Sequence, residues 1–200
     1  MRIFEAWRSP WTPLRSFWRA LLIGLLLVGE LSAQEAMPSL RLETGMHVAP
    51  IRATSMDRDG RYVVTASEDK TARVWDAASG SLLAVFRPPS ATGNDGKLYA
   101  VAMTPDGSVF AAAGWSSNND LYLVRRNDGQ ILHRIAGLPD VVTHLSFSPD
   151  GTMLVAGLWG KQGTRVFLGS DGWSSAREMQ GDADYTDEVN ATAWSPDGKT

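Results

Sequence analysis

The chain has 200 residues, no cysteine, and 19 basic against 22 acidic side chains, for a formal net charge of −3. Without cysteine it holds no disulfide, thiolate zinc site or cysteine nucleophile. Four of the basic and two of the acidic residues fall in the first 33 positions, leaving 15 basic and 20 acidic beyond them; an acidic surface with no basic cluster argues against nucleic acid and anionic membrane as main partners.

Residues 1–33 read as an export signal. Arg2, Arg8, Arg15 and Arg19 precede the apolar run Ala20 to Gly29, Glu30 ends that run, and Leu31-Ser32-Ala33 offers a small-residue exit before Gln34. Positive region, short apolar core and small-residue exit are the parts of a secretory signal. A membrane-spanning helix needs about 20 apolar residues, so this run is too short to span. The expectation is an exported protein, in a bacterial periplasm or secreted. Contact with a membrane follows only if the segment stays uncleaved, with Trp7, Trp11, Phe17 and Trp18 at the interface.

Beyond it, Asp-Gly pairs at Asp59, Asp106, Asp150 and Asp197 recur at intervals of 47, 44 and 47 residues. The last three share a context: Thr104-Pro105-Asp106-Gly107, Ser148-Pro149-Asp150-Gly151 and Ser195-Pro196-Asp197-Gly198. A second glycine turn follows the first three, at Gly80, Gly129 and Gly172. Two interleaved turn series with one period mark an internal repeat. Short β-branched and apolar runs lie between the turns, among them Tyr62 to Thr65, Ala72 to Trp75, Val109 to Ala112, Leu121 to Val124, Met153 to Ala156 and Arg165 to Leu168. Such runs, bounded by Gly, Asp, Asn and Ser, predict strands joined by tight turns. Four strands per period is the repeat of a propeller blade. The expected fold is all-β, a β-propeller with about three and a third blades and a ring not closed within the chain. Its parts are a lead-in at 34–46 with a lone outer strand at Leu40 to Glu43, blades at 47–86, 94–136 and 138–179, and the start of a fourth at 185–200. Because propellers use about four to eight blades, the chain is expected to continue past Thr200. Trp75, Trp115, Trp159 and Trp194 are read as packing between blades.

Thr65 to Asp76 (TASEDKTARVWD) closely resembles the end of a WD repeat, and His47 stands where that family's histidine falls relative to the first Asp-Gly turn. The resemblance implies a structural hydrogen-bond network of His47, Ser67 (or Thr65), Asp69 and Trp75. Later repeats depart from it, with Val124-Arg125 and Phe167-Leu168 in place of Trp-Asp, and Asn94, Leu138 and Tyr185 in place of the histidine. The opening of the chain also resembles exported bacterial WD-repeat proteins, some of which continue into a caspase-like peptidase domain.

No residue set announces catalysis. His47, His133 and His144 lie in no metal-ligand spacing, and no Gly-x-Ser-x-Gly elbow occurs. His144 is a candidate channel residue. Gly181 to Glu188 is acidic but fails the EF-hand pattern, so Asp182, Asp184 and Asp187 read as a solvated loop. No catalytic residue, metal or cofactor is expected. The expected function is a non-catalytic scaffold for a protein or peptide partner. The alternatives are the regulatory propeller of a caspase-like peptidase, or a channel-site enzyme, with catalytic residues beyond Thr200. Loops on a rigid scaffold carry specificity, so the insert Pro88 to Lys97 and the long turn Trp115 to Asp120 supply the candidate partner contacts Asn94, Trp115, Asn118 and Asn119.

Overall fold

The computed structural model describes residues 45–182 and 185–200. The expected export segment at 1–33 and the lone outer strand at Leu40 to Glu43 lie outside the described residues. Among these, no helix is long and apolar enough to cross a membrane.

Among the described residues, twelve strands form three four-stranded antiparallel sheets, each a simple meander in chain order. The first holds β1 (Ile51–Met56), β2 (Tyr62–Ser67), β3 (Thr71–Asp76) and β4 (Leu82–Phe86). In the second are β5 (Lys97–Met103), β6 (Val109–Trp115), β7 (Leu121–Arg125) and β8 (Ile131–Ile135). The third comprises β9 (Val142–Phe147), β10 (Met153–Leu158), β11 (Thr164–Ser170) and β12 (Ser175–Asp182), with a 3-10 turn at Asp171–Trp173. The fold is all-β, three blades of a propeller that do not close a ring, with β1, β5 and β9 side by side at the inner edge.

Strand alternation explains why the blades need one another. On β6, Phe110 and Ala112 face the first sheet while Ala111 and Ala113 face the third, and all four are essentially inaccessible. Val64, Ala66, Ala72, Val74 and Phe86 meet Leu98, Val101, Met103 and Val124 between the first two sheets. Leu121 and Leu123 meet Leu145, Leu154, Leu158, Phe167 and Trp173 between the second and third. Each large side chain so buried contributes about 1.5–3 kcal/mol, and an isolated sheet would expose both faces.

The Asp-Gly turns are self-contained hydrogen-bond units. In the second blade Thr104 Oγ1 donates to Asp106 Oδ1 (2.7 Å) and accepts from Val109 N (3.1 Å), while Asp106 Oδ1 also takes Ser108 N (3.0 Å). Ser148 and Asp150 repeat this with Met153 N and Thr152 N, and Ser195 and Asp197 with Thr200 N and Lys199 N. The first turn departs. Asp57 stands where the other turns have a hydroxyl, and its fully buried carboxylate accepts Arg61 N (2.7 Å), Tyr62 N (3.0 Å) and Arg61 Nε (2.9 Å). Arg58 replaces the proline, and its N–H donates to Pro105 O (2.9 Å). The turns also stack: Gly151 sits where a Cβ would meet Pro105 Cδ at 3.1 Å, so each turn nests on the preceding one.

The fourth repeat begins as an extended segment along β9. Val189 N donates to Leu158 O (3.1 Å), Thr192 N to His144 Nδ1 (3.1 Å) and Trp194 Nε1 to Ser146 O (3.0 Å). Gly157 makes room for it, because a Cβ there would lie 2.8 Å from Val189 Cγ1.

Candidate interaction surface

The network implied by the family resemblance assembles in the first blade, with one change of member. His47 Nδ1 lies 2.8 Å from Asp69 Oδ2 and Nε2 lies 2.7 Å from Thr65 Oγ1, which also accepts Trp75 Nε1–H (2.9 Å). With the proton on Nδ1 the relay is satisfied throughout: Trp75 donates to Thr65, Thr65 to His47, and His47 to Asp69. The His47 and Asp69 side chains are only 4% and 3% exposed. Thr65 therefore supplies the hydroxyl expected of Ser67. Ser67 Oγ donates instead to Ala49 O (3.1 Å) and accepts Asp69 N (3.1 Å), steadying the turn that carries Asp69. Burial pushes the Asp69 carboxyl up, but the Thr71 hydroxyl, His47 and the Val48 N–H together hold it below the ordinary range. Every polar member is paired, as a buried network requires. It is a structural unit and leaves no reactive group free.

The later blades replace it. Strand pairing sets Trp75 opposite Val63, Val124 opposite Phe110 and Phe167 opposite Leu154. Val124 and Phe167 are buried between sheets, where a bulky indole has no counterpart. The second blade has its own polar group: Tyr122 OH donates to Asp120 Oδ2 (3.1 Å), which also accepts Arg134 Nη2 (2.8 Å). Burial first, then the Asp120 charge, pushes the Tyr122 phenol up to about 12.

The turns divide between two rims. Hairpin turns β2–β3, β6–β7 and β10–β11 and the connections between sheets share one rim, because the strands alternate in direction. On this rim every inner strand carries a β-bulge, at Arg52, Tyr99 and Thr143, spaced 47 and 44 residues apart like the Asp-Gly turns. A bulge adds one residue and re-aims its side chain, a device concentrated at barrel rims and binding sites. Arg52 Nε donates to Glu68 Oε1 (2.6 Å) and Lys97 Nζ to Glu68 Oε2 (2.9 Å), so two cations share one carboxylate, and Lys97 ahead of Arg52 holds it below its ordinary range. At the position of Glu68 the next two blades carry Trp115 and Trp159. Their rings meet edge to face with centroids 5.9 Å apart, yet the residues stay 38% and 42% exposed. The reading of both as packing between blades holds only in part. They stand at strand ends, beyond the sheets' apolar core, and show much of their surface to solvent.

Of the candidate contact residues, Trp115 is partly exposed at the end of β6. Asn94 and Asn118 are exposed, but their carbonyls accept Lys97 N (3.0 Å) and Gly137 N (2.9 Å). Asn119, at φ +49°, donates its amide to Leu138 O (3.1 Å). The asparagines thus hold the loops in shape around Trp115. Sequence reasoning missed Arg52, Tyr99 and Thr143, whose recurrence at the repeat spacing was the available signal. His144 lies on the inner edge, in a groove of about 370 Å³ with Arg52 and Ser55. Its Nδ1 is 2.8 Å from Thr192 Oγ1, and burial pushes its pKa down. Asp184 of the acidic stretch lies outside the described residues.

The opposite rim carries a groove of about 590 Å³ lined by Arg58, Arg61, Asp106, Asp150 and Trp173. Most of its charges are engaged internally: Arg58 Nη2 donates to Pro149 O, Arg61 pairs with Asp57 and Asp59, and Asp106 and Asp150 hold their own turns, while Asp171 is exposed. Trp173 is fixed from below, with Nε1 donating to Gly151 O (2.9 Å) and its ring where a Cβ on Gly169 would stand, 2.5 Å away.

A family model described as WD domain, G-beta repeat matches residues 42–76 and 129–164. Curated relatives include WD repeat-containing protein 62 of Mus musculus, 27% identical over 62% of this chain and 8% of that protein. Periodic tryptophan protein 2 of Saccharomyces cerevisiae is 27% identical over 88% of this chain and 22% of its own length. Eukaryotic translation initiation factor 3 subunit I of Coccidioides immitis is 27% identical over 55% of this chain and 30% of its own. The chain therefore spans less than a third of each of these three relatives. The second family match runs from the outer strand β8 through β9 and β10, so one sequence repeat links two blades. The WD domain, G-beta repeat model thus matches the chain in two places within a part of a propeller, and one of the relatives it resembles is a WD repeat-containing protein.

Proposed function

We propose that this protein is a non-catalytic interaction scaffold that holds a protein or peptide partner on the rim of Arg52, Tyr99, Thr143, Trp115 and Trp159. The observation that carries the reading is the recurrence of a bulged inner-strand residue beside a strand-end residue in every blade. It puts a row of differing side chains (Arg, Tyr, Thr, with Glu, Trp, Trp) on one rigid edge. Rigid elements presenting exposed aromatics are where interface energy concentrates. The partly exposed tryptophans and the relatives' WD repeats support this reading. The opposite rim is weaker, most of its charged groups being committed to its own turns.

We further propose that the chain is exported. The support for this is the arginine-flanked apolar run ending in Leu31-Ser32-Ala33, and N-terminal sequencing of the mature protein tests it. The caspase-linked alternative rests on the sequence resemblance alone.

Affinity purification of the native chain tests the scaffold reading against two variants, both assayed well below their melting temperatures. Tyr99→Glu with Trp159→Glu loses the co-purifying partner. Asp128→Arg on the opposite rim retains it. Equal retention by both variants contradicts the reading.

A further inference from the structure

Carboxylates stand beside the two tryptophans, and this bears on what they bind. Asp95 lies in the connection leading to Trp115, where its two carboxylate oxygens accept Ser117 N (2.7 Å) and Ala91 N (2.5 Å), and Gly96 N donates to Trp115 O (2.7 Å). Asp120 closes the loop that begins at Trp115. It is 5% exposed, and its Oδ1 is buried without a hydrogen-bond partner. Trp159 N donates to Val141 O (2.9 Å), which draws Asp140 beside it. Asp140 Oδ2 lies 3.2 Å from where a Cβ on Gly160, the next residue, would stand. Val189 N donates to Leu158 O (3.1 Å), and Asp187 and Glu188 precede Val189 in sequence. Of the cations near these carboxylates, Lys97 is bound to Glu68, Arg134 to Asp120 and Lys70 to Ala91 O, Arg87 lies in the connection before Asp95, and Lys161 is exposed.

We propose that this edge receives a lysine or arginine side chain of the partner protein, placed against Trp115 and Trp159 and within the field of Asp140. The proposal deepens the scaffold reading and rests on it. Charge complementarity decides the occupant. An apolar partner segment covering the tryptophans would desolvate Asp140 with nothing to offset the loss. A cation offsets it and also gains from the indole faces, an attraction that strengthens when the pair is withdrawn from water. The aromatic pair supplies contact area, while the carboxylates set the sign.

The test uses the full chain and three blocked, fluorescein-labelled Gly-Ser peptides that differ only in carrying two arginines, two leucines or two glutamates. Anisotropy reads binding. The arginine peptide is expected to bind at least about tenfold more tightly than the other two. Trp159→Ala weakens it about tenfold, and Trp159→Phe, which keeps an aromatic face should the alanine variant unfold, weakens it less. Asp140→Asn weakens it about threefold at low salt and has little effect near 0.5 M salt, where the field is screened. Equal binding of the leucine and arginine peptides overturns the proposal, as does undiminished arginine binding by Trp159→Ala. No difference among the peptides up to about 1 mM also overturns it. In that case a partner still cross-linking to a photoreactive residue at position 159 leaves the scaffold reading standing, and its absence sinks both.

Discussion

Trp115 and Trp159 occupy the same place in successive blades and meet edge to face, 5.9 Å between centroids. The contact ties the rim of the second sheet to that of the third, outside the apolar core that joins the sheets beneath it. Edge-to-face pairs contribute about 0.5–1.5 kcal/mol beyond their burial. A double-mutant cycle with Trp115→Ala and Trp159→Ala, read by urea unfolding, is expected to show a coupling of about that size. Strict additivity would mean that the rings share a neighbourhood without sharing energy.

Thr65 is the hinge of the first-blade network. Thr65→Val keeps the shape but removes the hydroxyl between Trp75 and His47, leaving both ring nitrogens short of a partner at a cost of about 1–3 kcal/mol. Thr65→Ser keeps the hydroxyl and should lose much less. If the valine variant melts like the parent, the relay does not stabilise the blade.

The same reasoning gives Asp57 a role that no motif suggested. Asp57→Ala orphans the Arg61 and Tyr62 N–H groups, and a loss of about 1–3 kcal/mol is expected. Asp57→Ser restores the hydroxyl found at Ser148 and Ser195 and should recover part of that loss. Equal loss in both would show that the Arg61 guanidinium contact, and not the turn, carries the stability.

Acidification should act in two stages. His144 is held neutral by burial, so its folded pKa lies below its unfolded value of about 6.5. The unfolded chain then takes up this proton first, and stability falls as pH drops below about 6.5 until the depressed folded value is passed. Asp57, Asp69, Asp106 and Asp150 are all held below the ordinary carboxylate range. Their contribution is complete above about 3.9 and is lost as pH falls through the lower folded values. Melting temperature followed from about pH 7 to 3 should show both stages. His144→Gln should flatten the first and leave the second. A first stage unchanged in that variant would assign it to another group.

The strands and turns were legible in the sequence because their determinants are local. Asp-Gly supplies the left-handed residue that a tight turn needs, and β-branched runs fill the pleats between turns. The choice between Thr65 and Ser67 was not legible. Residues two apart share a strand face, so only the register with β3, which sets Thr65 opposite Arg73, separates them. The departure at Asp57 was hidden because Asp-Arg-Asp-Gly does not look like Ser-Pro-Asp-Gly until both are laid on one backbone. The rim was hidden more deeply still. A bulge is a property of pairing between strands, and the exposure of Trp115 and Trp159 depends on how far each strand runs past the core.

Site-specific photocross-linking tests the central claim most directly. A photoreactive side chain is placed in turn at Tyr99 and Trp159 on one rim and at Asn127 and Asp128 on the other, in the full chain in its native setting. Partner adducts at positions 99 and 159, with none at 127 and 128, are the expected result. Adducts confined to 127 and 128, or spread equally over both rims, would contradict a binding face built from the bulged inner strands.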